Sequence, residues 1–157
     1  DIIDYIRSFA PGFIFTSSMN PSIAAASIKS IELAKESDDL RANIRINSDR
    51  IRQGLRKARI PFLENDSHII PIHLYDPALC KQAANLLIEK HGIYIQPVFF
   101  PTVPKGDERF RVTISPRHEE EDIDRFVEAL EDIWTVMGLR RADPEEFTAK
   151  ESVSRIY

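Results

Sequence analysis

Two arginines one residue apart, Arg109 and Arg111, are the strongest chemical signal in the chain. They lie in a run where Phe110, Val112 and Ile114 alternate with Arg109, Arg111 and Thr113. Strict alternation predicts a strand with one apolar and one polar face. On that polar face a guanidinium presents a planar fork of donors suited to a carboxylate or a phosphate. Arg111 is the better candidate, because packed strand neighbours flank it on both sides. The pattern leaves a second reading open, in which both arginines are solvated or pair with Glu108 and Glu119. Another cluster is Thr16-Ser17-Ser18, just ahead of Asn20-Pro21. Hydroxyls beside a helix start suit a phosphate, since free N–H groups and the positive dipole end converge there. They serve equally well as plain caps or turn residues. The histidines (His68, His73, His91, His118) are scattered without metal-ligand spacing and read as structural or capping groups. Spacing alone gives no catalytic dyad, metal set, Walker loop or G-x-G-x-x-G fingerprint.

The elements that must position these residues follow from the pattern. Before the Arg-x-Arg strand runs a loop pinned by Pro97, Pro101 and Pro104, with a turn at Gly106-Asp107. Residues 1–9 have helical spacing and stop at Pro11-Gly12. Phe13-Ile14-Phe15 reads as a short buried strand. Asn20-Pro21 opens a helix whose small residues, Ala24 to Ser27, imply close approach by another element. Ser37-Asp38-Asp39 opens the next helix, with an apolar stripe of Leu40, Ile44, Ile51 and Leu55 and a charge-rich face that reads as solvated. It ends near Arg59. Ile69 to Leu74 is a strand in which Pro71 implies an edge position or a bulge. Asp76-Pro77 opens a helix that closes at His91-Gly92, and Ile93-Tyr94-Ile95 is the next strand. Pro116-Arg117-His118 introduces the last helix, which Gly138 ends. Residues 141–157 form a short helix or loosely held tail. Three short strands with helices on one side make a small α+β layer.

The bulk properties narrow the classes. The chain has 157 residues, 43% hydrophobic and 29% charged, enough for one domain or one domain plus part of another. A formal charge of −4 gives no basic field for nucleic acid. The single cysteine, Cys80, excludes an intrachain disulfide framework and suits a reducing compartment. No apolar run approaches a membrane span. The chain begins without Met, inside a helical pattern, and reads as a piece of a longer protein.

Several motifs together resemble those of one family: residues 8–16 (SFAPGFIFT), Ser67-His68-Ile69-Ile70-Pro71, His91-Gly92-Ile93-Tyr94-Ile95-Gln96-Pro97, Pro101-Thr102-Val103-Pro104, Glu108-Arg109-Phe110-Arg111 and Ser115-Pro116-Arg117-His118. Their order and spacing resemble the 5-aminolevulinate synthases, α-oxoamine synthases of the pyridoxal-phosphate fold-type I superfamily. The resemblance covers about residues 1 to 138. It implies the C-terminal part of such a transferase, with a short antiparallel sheet in a small α+β domain. It also implies pyridoxal 5'-phosphate as cofactor, glycine and succinyl-CoA as substrates, and a homodimer with the active site at the subunit interface. It places Arg111 on the glycine carboxylate, Thr16 and Ser17 at the cofactor phosphate, and Thr102 at the acyl-CoA substrate. The cofactor-bearing lysine is expected before residue 1, so this segment holds no catalytic residue of its own. The expected divisions are 1–36 as the end of a large cofactor-binding domain, 37–58 as a linking helix, 59–140 as the small domain and 141–157 as a tail. Bacterial cytoplasm and mitochondrial matrix both fit.

Some positions depart from the family. Phe99-Phe100 stand where Asn-Tyr is usual, Ser27 where Gly is common, and Ile114-Ser115 where Thr-Pro precedes Pro116. The first departure keeps a sister α-oxoamine synthase with another amino acid or acyl donor in view. A stand-alone binding or dimerisation domain is the remaining alternative.

Overall fold

The structure is a computed structural model and describes residues 1–147; the last ten residues of the expected tail lie outside the described residues. The elements are α1 (Ile2–Phe9), α2 (Pro11–Ile14), α3 (Pro21–Glu36), α4 (Asp38–Ala58), β1 (Ile69–His73), α5 (Pro77–His91), β2 (Gln96–Val98), β3 (Arg109–Thr113), α6 (Glu120–Val136) and a 3-10 turn at Pro144–Phe147. They form two compact units, Asp1–Asp38 and the remainder from Asp39 onward.

In the first unit, Asp1 and Asp4 close a capping box on α1. Asn20 caps α3 as its position before Pro21 predicts, its Oδ1 accepting from the Ser22 N–H at 2.9 Å. The expected strand at Phe13-Ile14-Phe15 is not formed. Pro11 starts the one-turn helix α2 instead, and Phe13 and Phe15 are exposed. A three-residue strand needs a ladder partner for its backbone groups, and none is present among the described residues, whereas Pro at a first helical position is already preset for a helix. The close approach expected on α3 is also unmet, since no residue of α3 is buried.

The second unit is built on a three-stranded antiparallel sheet of order β1-β3-β2. Phe110 and Val112 of β3 share a face with Ile70 and Ile72 of β1, and that face is buried. Helices α4, α5 and α6 supply Ile51, Leu55, Leu87, Leu130, Ile133 and Trp134 to the same core. Trp134 satisfies its buried N–H by donating to the Arg140 carbonyl at 3.0 Å. The opposite face, carrying Ile69, Pro71, His73, Arg109, Arg111, Thr113 and Gln96, holds no fully buried residue.

Pro71 sits on an edge strand, as its missing N–H requires. Its carbonyl accepts from the Leu63 N–H at 2.9 Å on the outer side of β1. The N and C=O of one strand residue point the same way, so the lost donor also faces outward and the β1–β3 ladder is intact. The strand expected at 93–95 begins later, at Gln96. Gly92 adopts φ 66° as the αL cap of α5, its N–H bonds the Ile88 carbonyl, and the Ile93 N–H reaches back to the Leu87 carbonyl at 3.1 Å. This double closure ties residue 93 to the helix. Pro97 then falls in β2, which its edge position allows.

The charge-rich face of α4 is not simply solvated. Arg52 is buried, donating to Asp49, Asn65 and the Ser67 carbonyl. Arg50 forms a two-pronged pair with Asp124 of α6 at 2.9 and 2.7 Å and reaches Glu120 at 2.6 Å. Leu40, expected in the apolar stripe, is exposed.

Helices α4 and α6 cross closely at Gly54. A Cβ placed there would lie 2.8 and 2.9 Å from the two Val127 methyls and 3.3 Å from the Val127 Cβ. Valine is stiff about χ1 and straddles the point, so no rotamer clears the clash. Gly54→Ala therefore lowers the melting temperature by about 2–4 °C despite the better helix propensity of alanine, and Val127→Ala in the same chain restores it; thermal unfolding of the three variants checks this. The Arg50 hydrogen bond holds the Asp124 carboxyl below its ordinary value. A depressed folded-state value contributes stability above the unfolded value of 3.8 that is lost as pH falls through the folded one. The stability gap between wild type and Asp124→Asn should thus be constant at neutral pH and close only below about pH 4, measured by melting across pH.

Candidate functional site

β3 is the central strand, and its parity decides which side chains reach solvent. Arg111 lies opposite Pro71 on one side and Gln96 on the other. Its side chain is exposed on the open face, and no hydrogen bond or ion pair joins it to another described residue. Arg111 lines a cavity of about 490 Å³ together with Tyr94, Gln96, His118, Asp122 and Arg125.

The groups around it are engaged elsewhere. Tyr94 donates to Gln96 Oε1 at 2.7 Å, and Gln96 Nε2 donates to the Pro97 carbonyl at 2.8 Å. Arg125 donates to the His91 carbonyl at 2.8 Å at the end of α5. Asn47 of α4 reaches the His118 carbonyl at 2.8 Å and steadies the turn before α6. Asp122 accepts from the Glu119 N–H at 3.0 Å. A cavity with a fixed rim and one uncommitted guanidinium is arranged to receive an anion.

The two acids that the sequence offered as arginine partners do other work. Glu119 caps α6 in a capping box with Asp122. Glu108 is buried, its Oε2 accepting from the Gly106 N–H at 3.0 Å. Arg109 is instead paired with Asp107, through the carboxylate and through the main-chain carbonyl at 3.1 Å. Asp107 also stands 3.1 Å from His73 Nδ1. Arg109 is thus a structural residue, and Arg111 alone of the pair is available.

Thr102 sits exposed on the loop between β2 and β3. Its N–H donates to the Phe99 carbonyl at 2.9 Å, Val103 beside it is buried, and Phe99 packs against the core. Lys105 Nζ lies 5.3 Å over the exposed Phe100 ring. Thr102 does not line the cavity that holds Arg111. Thr16 and Ser17 belong to the first unit, in the exposed stretch before α3; Thr16 Oγ1 makes one long contact, 3.5 Å, to the Ser17 carbonyl. Two exposed hydroxyls near a helix start fit the donor set that a phosphate needs.

Sequence reasoning missed Glu108 and Arg52. A signal for Glu108 existed: it shares parity with Phe110, Val112 and Ile114, so extending the alternation one step back puts it on the buried face. Arg52 carried no such signal. Cys80 is buried and its thiol is pushed up to about 12, first by desolvation and then by the charges of Glu108 and Asp76, so it is no nucleophile. Among the described residues no group of three or more His, Cys, Asp or Glu could hold a metal ion, and no helix is long and apolar enough to cross a membrane.

The aminotransferase class I and II family profile matches residues 1–130. The 5-aminolevulinate synthase of Bradyrhizobium diazoefficiens is 45% identical over 138 residues, covering 88% of this chain and 34% of its own length. The chain thus spans about a third of that relative. Among solved structures, a Sphingomonas wittichii serine palmitoyltransferase superposes with TM-score 0.78 at 28% identity, over 87% of this chain and 34% of that one. An SPT structure with PLP gives TM-score 0.79 at 22% identity, with the same coverage of 87% and 34%, and speaks to the fold alone. The open-faced sheet with its free arginine is therefore that of a member of the aminotransferase class I and II family, to which this chain belongs.

Proposed function

We propose that the chain is the C-terminal part of a pyridoxal-phosphate-dependent 5-aminolevulinate synthase, an acyltransferase that condenses glycine with succinyl-CoA to give 5-aminolevulinate, CoA and CO2, the first step of tetrapyrrole (heme) biosynthesis. The observation that carries it is the uncommitted Arg111 on the central strand at the cavity. In this reading Arg111 binds the amino-acid carboxylate through its fork and so fixes the orientation of the Cα–H bond. The carboxylate of glycine replaces water on a guanidinium whose position the sheet has already set, so little ordering remains at binding.

Thr16 and Ser17 hold the cofactor phosphate through their hydroxyls. When bound, the cofactor supplies an electron sink for the charge left at Cα on loss of its proton. Thr102 contacts the acyl-CoA substrate from its exposed loop. The lysine that carries the cofactor lies in another part of the enzyme, and the hydroxyl pair serves the neighbouring subunit of a homodimer. Residues 1–36 end the large domain, 37–58 link, and 59–140 form the small domain. Bacterial cytoplasm or mitochondrial matrix suits this activity, with no nucleic-acid or membrane partner. A sister α-oxoamine synthase is the second reading, favoured by Phe99-Phe100, of which Phe100 is exposed on the same loop as Thr102.

The reading is tested on the intact enzyme with pyridoxal phosphate, glycine and succinyl-CoA, following CoA release and identifying the aminoketone by mass. Formation of 5-aminolevulinate supports it; CoA release only with another acyl donor or amino acid selects the sister reading. Arg111→Ala should lower kcat/KM for glycine by about 2–4 kcal/mol, while unchanged glycine kinetics would remove Arg111 from the site. The same substitution should leave the melting temperature within about 1 °C, because no ion pair is lost. Arg109→Ala, which strips half-buried Asp107 of a partner, should lower it by several times as much.

A further inference from the structure

We infer that Glu108 is a positioning residue for the loop that carries Thr102, acting through the main chain of Gly106; this rests on the acyl-donor role proposed for that loop. Glu108 is 3% exposed, and its carboxylate has one hydrogen bond among the described residues, from the Gly106 N–H at 3.0 Å. Glu108 lies near enough to the buried Cys80 for its charge to push the thiol up. A carboxylate in such a place is expensive to bury, and an apolar residue of similar size would serve a purely packing role at least as well. What the carboxylate does uniquely is accept from Gly106.

That bond sits at a decisive point. Gly106 adopts φ 85°, in the left-handed region, and an added Cβ would meet nothing within 4 Å, so conformation rather than space calls for glycine. The Asp107 N–H closes the turn onto the Pro104 carbonyl at 3.2 Å. The Glu108 carbonyl accepts from both the Leu74 and Tyr75 N–H groups, at 3.0 and 2.9 Å, so the residue is fixed by its main chain to the end of β1 before its side chain reaches back. The loop is thus held at its start by Phe99 packed against the core, at its middle by buried Val103, and at its end by Glu108 on Gly106. Thr102 lies between the first two anchors and depends on the third for the path of the chain after Pro104. The glycine-facing Arg111 needs none of these, because its place is set by the sheet.

The test uses the intact enzyme with Glu108→Gln, which keeps an acceptor oxygen, and Glu108→Leu, which keeps the volume and removes it. Hydrogen exchange at the Gly106 amide is read first, without substrate: it should speed at least about tenfold in Glu108→Leu and stay near wild type in Glu108→Gln. Initial rates are read second. The KM for the acyl-CoA should rise about tenfold in Glu108→Leu, with the glycine KM changed less than about twofold, and Glu108→Gln should recover the wild-type values. Unchanged Gly106 exchange in Glu108→Leu overturns the inference, as does a fall in kcat with both KM values unchanged, the mark of a smaller folded fraction. If the exchange result holds but the wild-type enzyme does not use succinyl-CoA, the anchor stands and the substrate reading fails.

Discussion

The direction of each candidate ligand-binding side chain on the sheet is set by the pairing of β3 on both of its edges. A central strand cannot slip by one residue without sending Phe110 and Val112 to solvent and two arginines into the core. Burying Phe110 alone is worth about 1.5–3 kcal/mol, so the register is strongly held. Helices α4, α5 and α6 pack on the apolar face, and Arg111 is exposed on the other. The precision of the proposed carboxylate clamp is inherited from the hydrophobic core beneath it.

Two charged groups on this one strand end show how parity distributes roles. Arg111, an odd residue, faces outward and stays uncommitted; Glu108, an even one, faces inward and is committed to a single amide. Arg109 shares the outward face with Arg111, yet Asp107 takes it out of contention. A pattern of types can nominate both arginines. Only the turn geometry at Gly106-Asp107, which brings the Asp107 carboxylate back onto Arg109, chooses between them.

This explains what was legible in the sequence. The helices with caps, α3 behind Asn20, α5 between Asp76 and Gly92, and α6 ending ahead of Gly138, were visible because caps are local chemistry. The faces of β3 were visible because alternation needs no partner to be read. The start of β2 was not, since it depends on how far the cap of α5 extends, and the Ile93 N–H bond to Leu87 moves the strand on to Gln96. Arg52 was unreadable for a different reason. Its burial depends on Asn65 and the Ser67 carbonyl arriving over α4, a tertiary event that leaves no mark in the spacing around residue 52.

The mismatch at Phe13-Ile14-Phe15 has the most physical content. From Ile2 to Leu33 the first unit exposes large apolar side chains, and α1, α2 and α3 bury none. Helices of eight and four residues are marginal in water without a packed face. The apolar spacing of these residues describes elements that are covered, whereas the structure describes them uncovered. A short apolar run becomes a strand only when a neighbour offers a ladder; without one, Pro11 directs the same residues into a helical turn. The proposed reading supplies cover for these helices, in the body of a large domain and a second subunit.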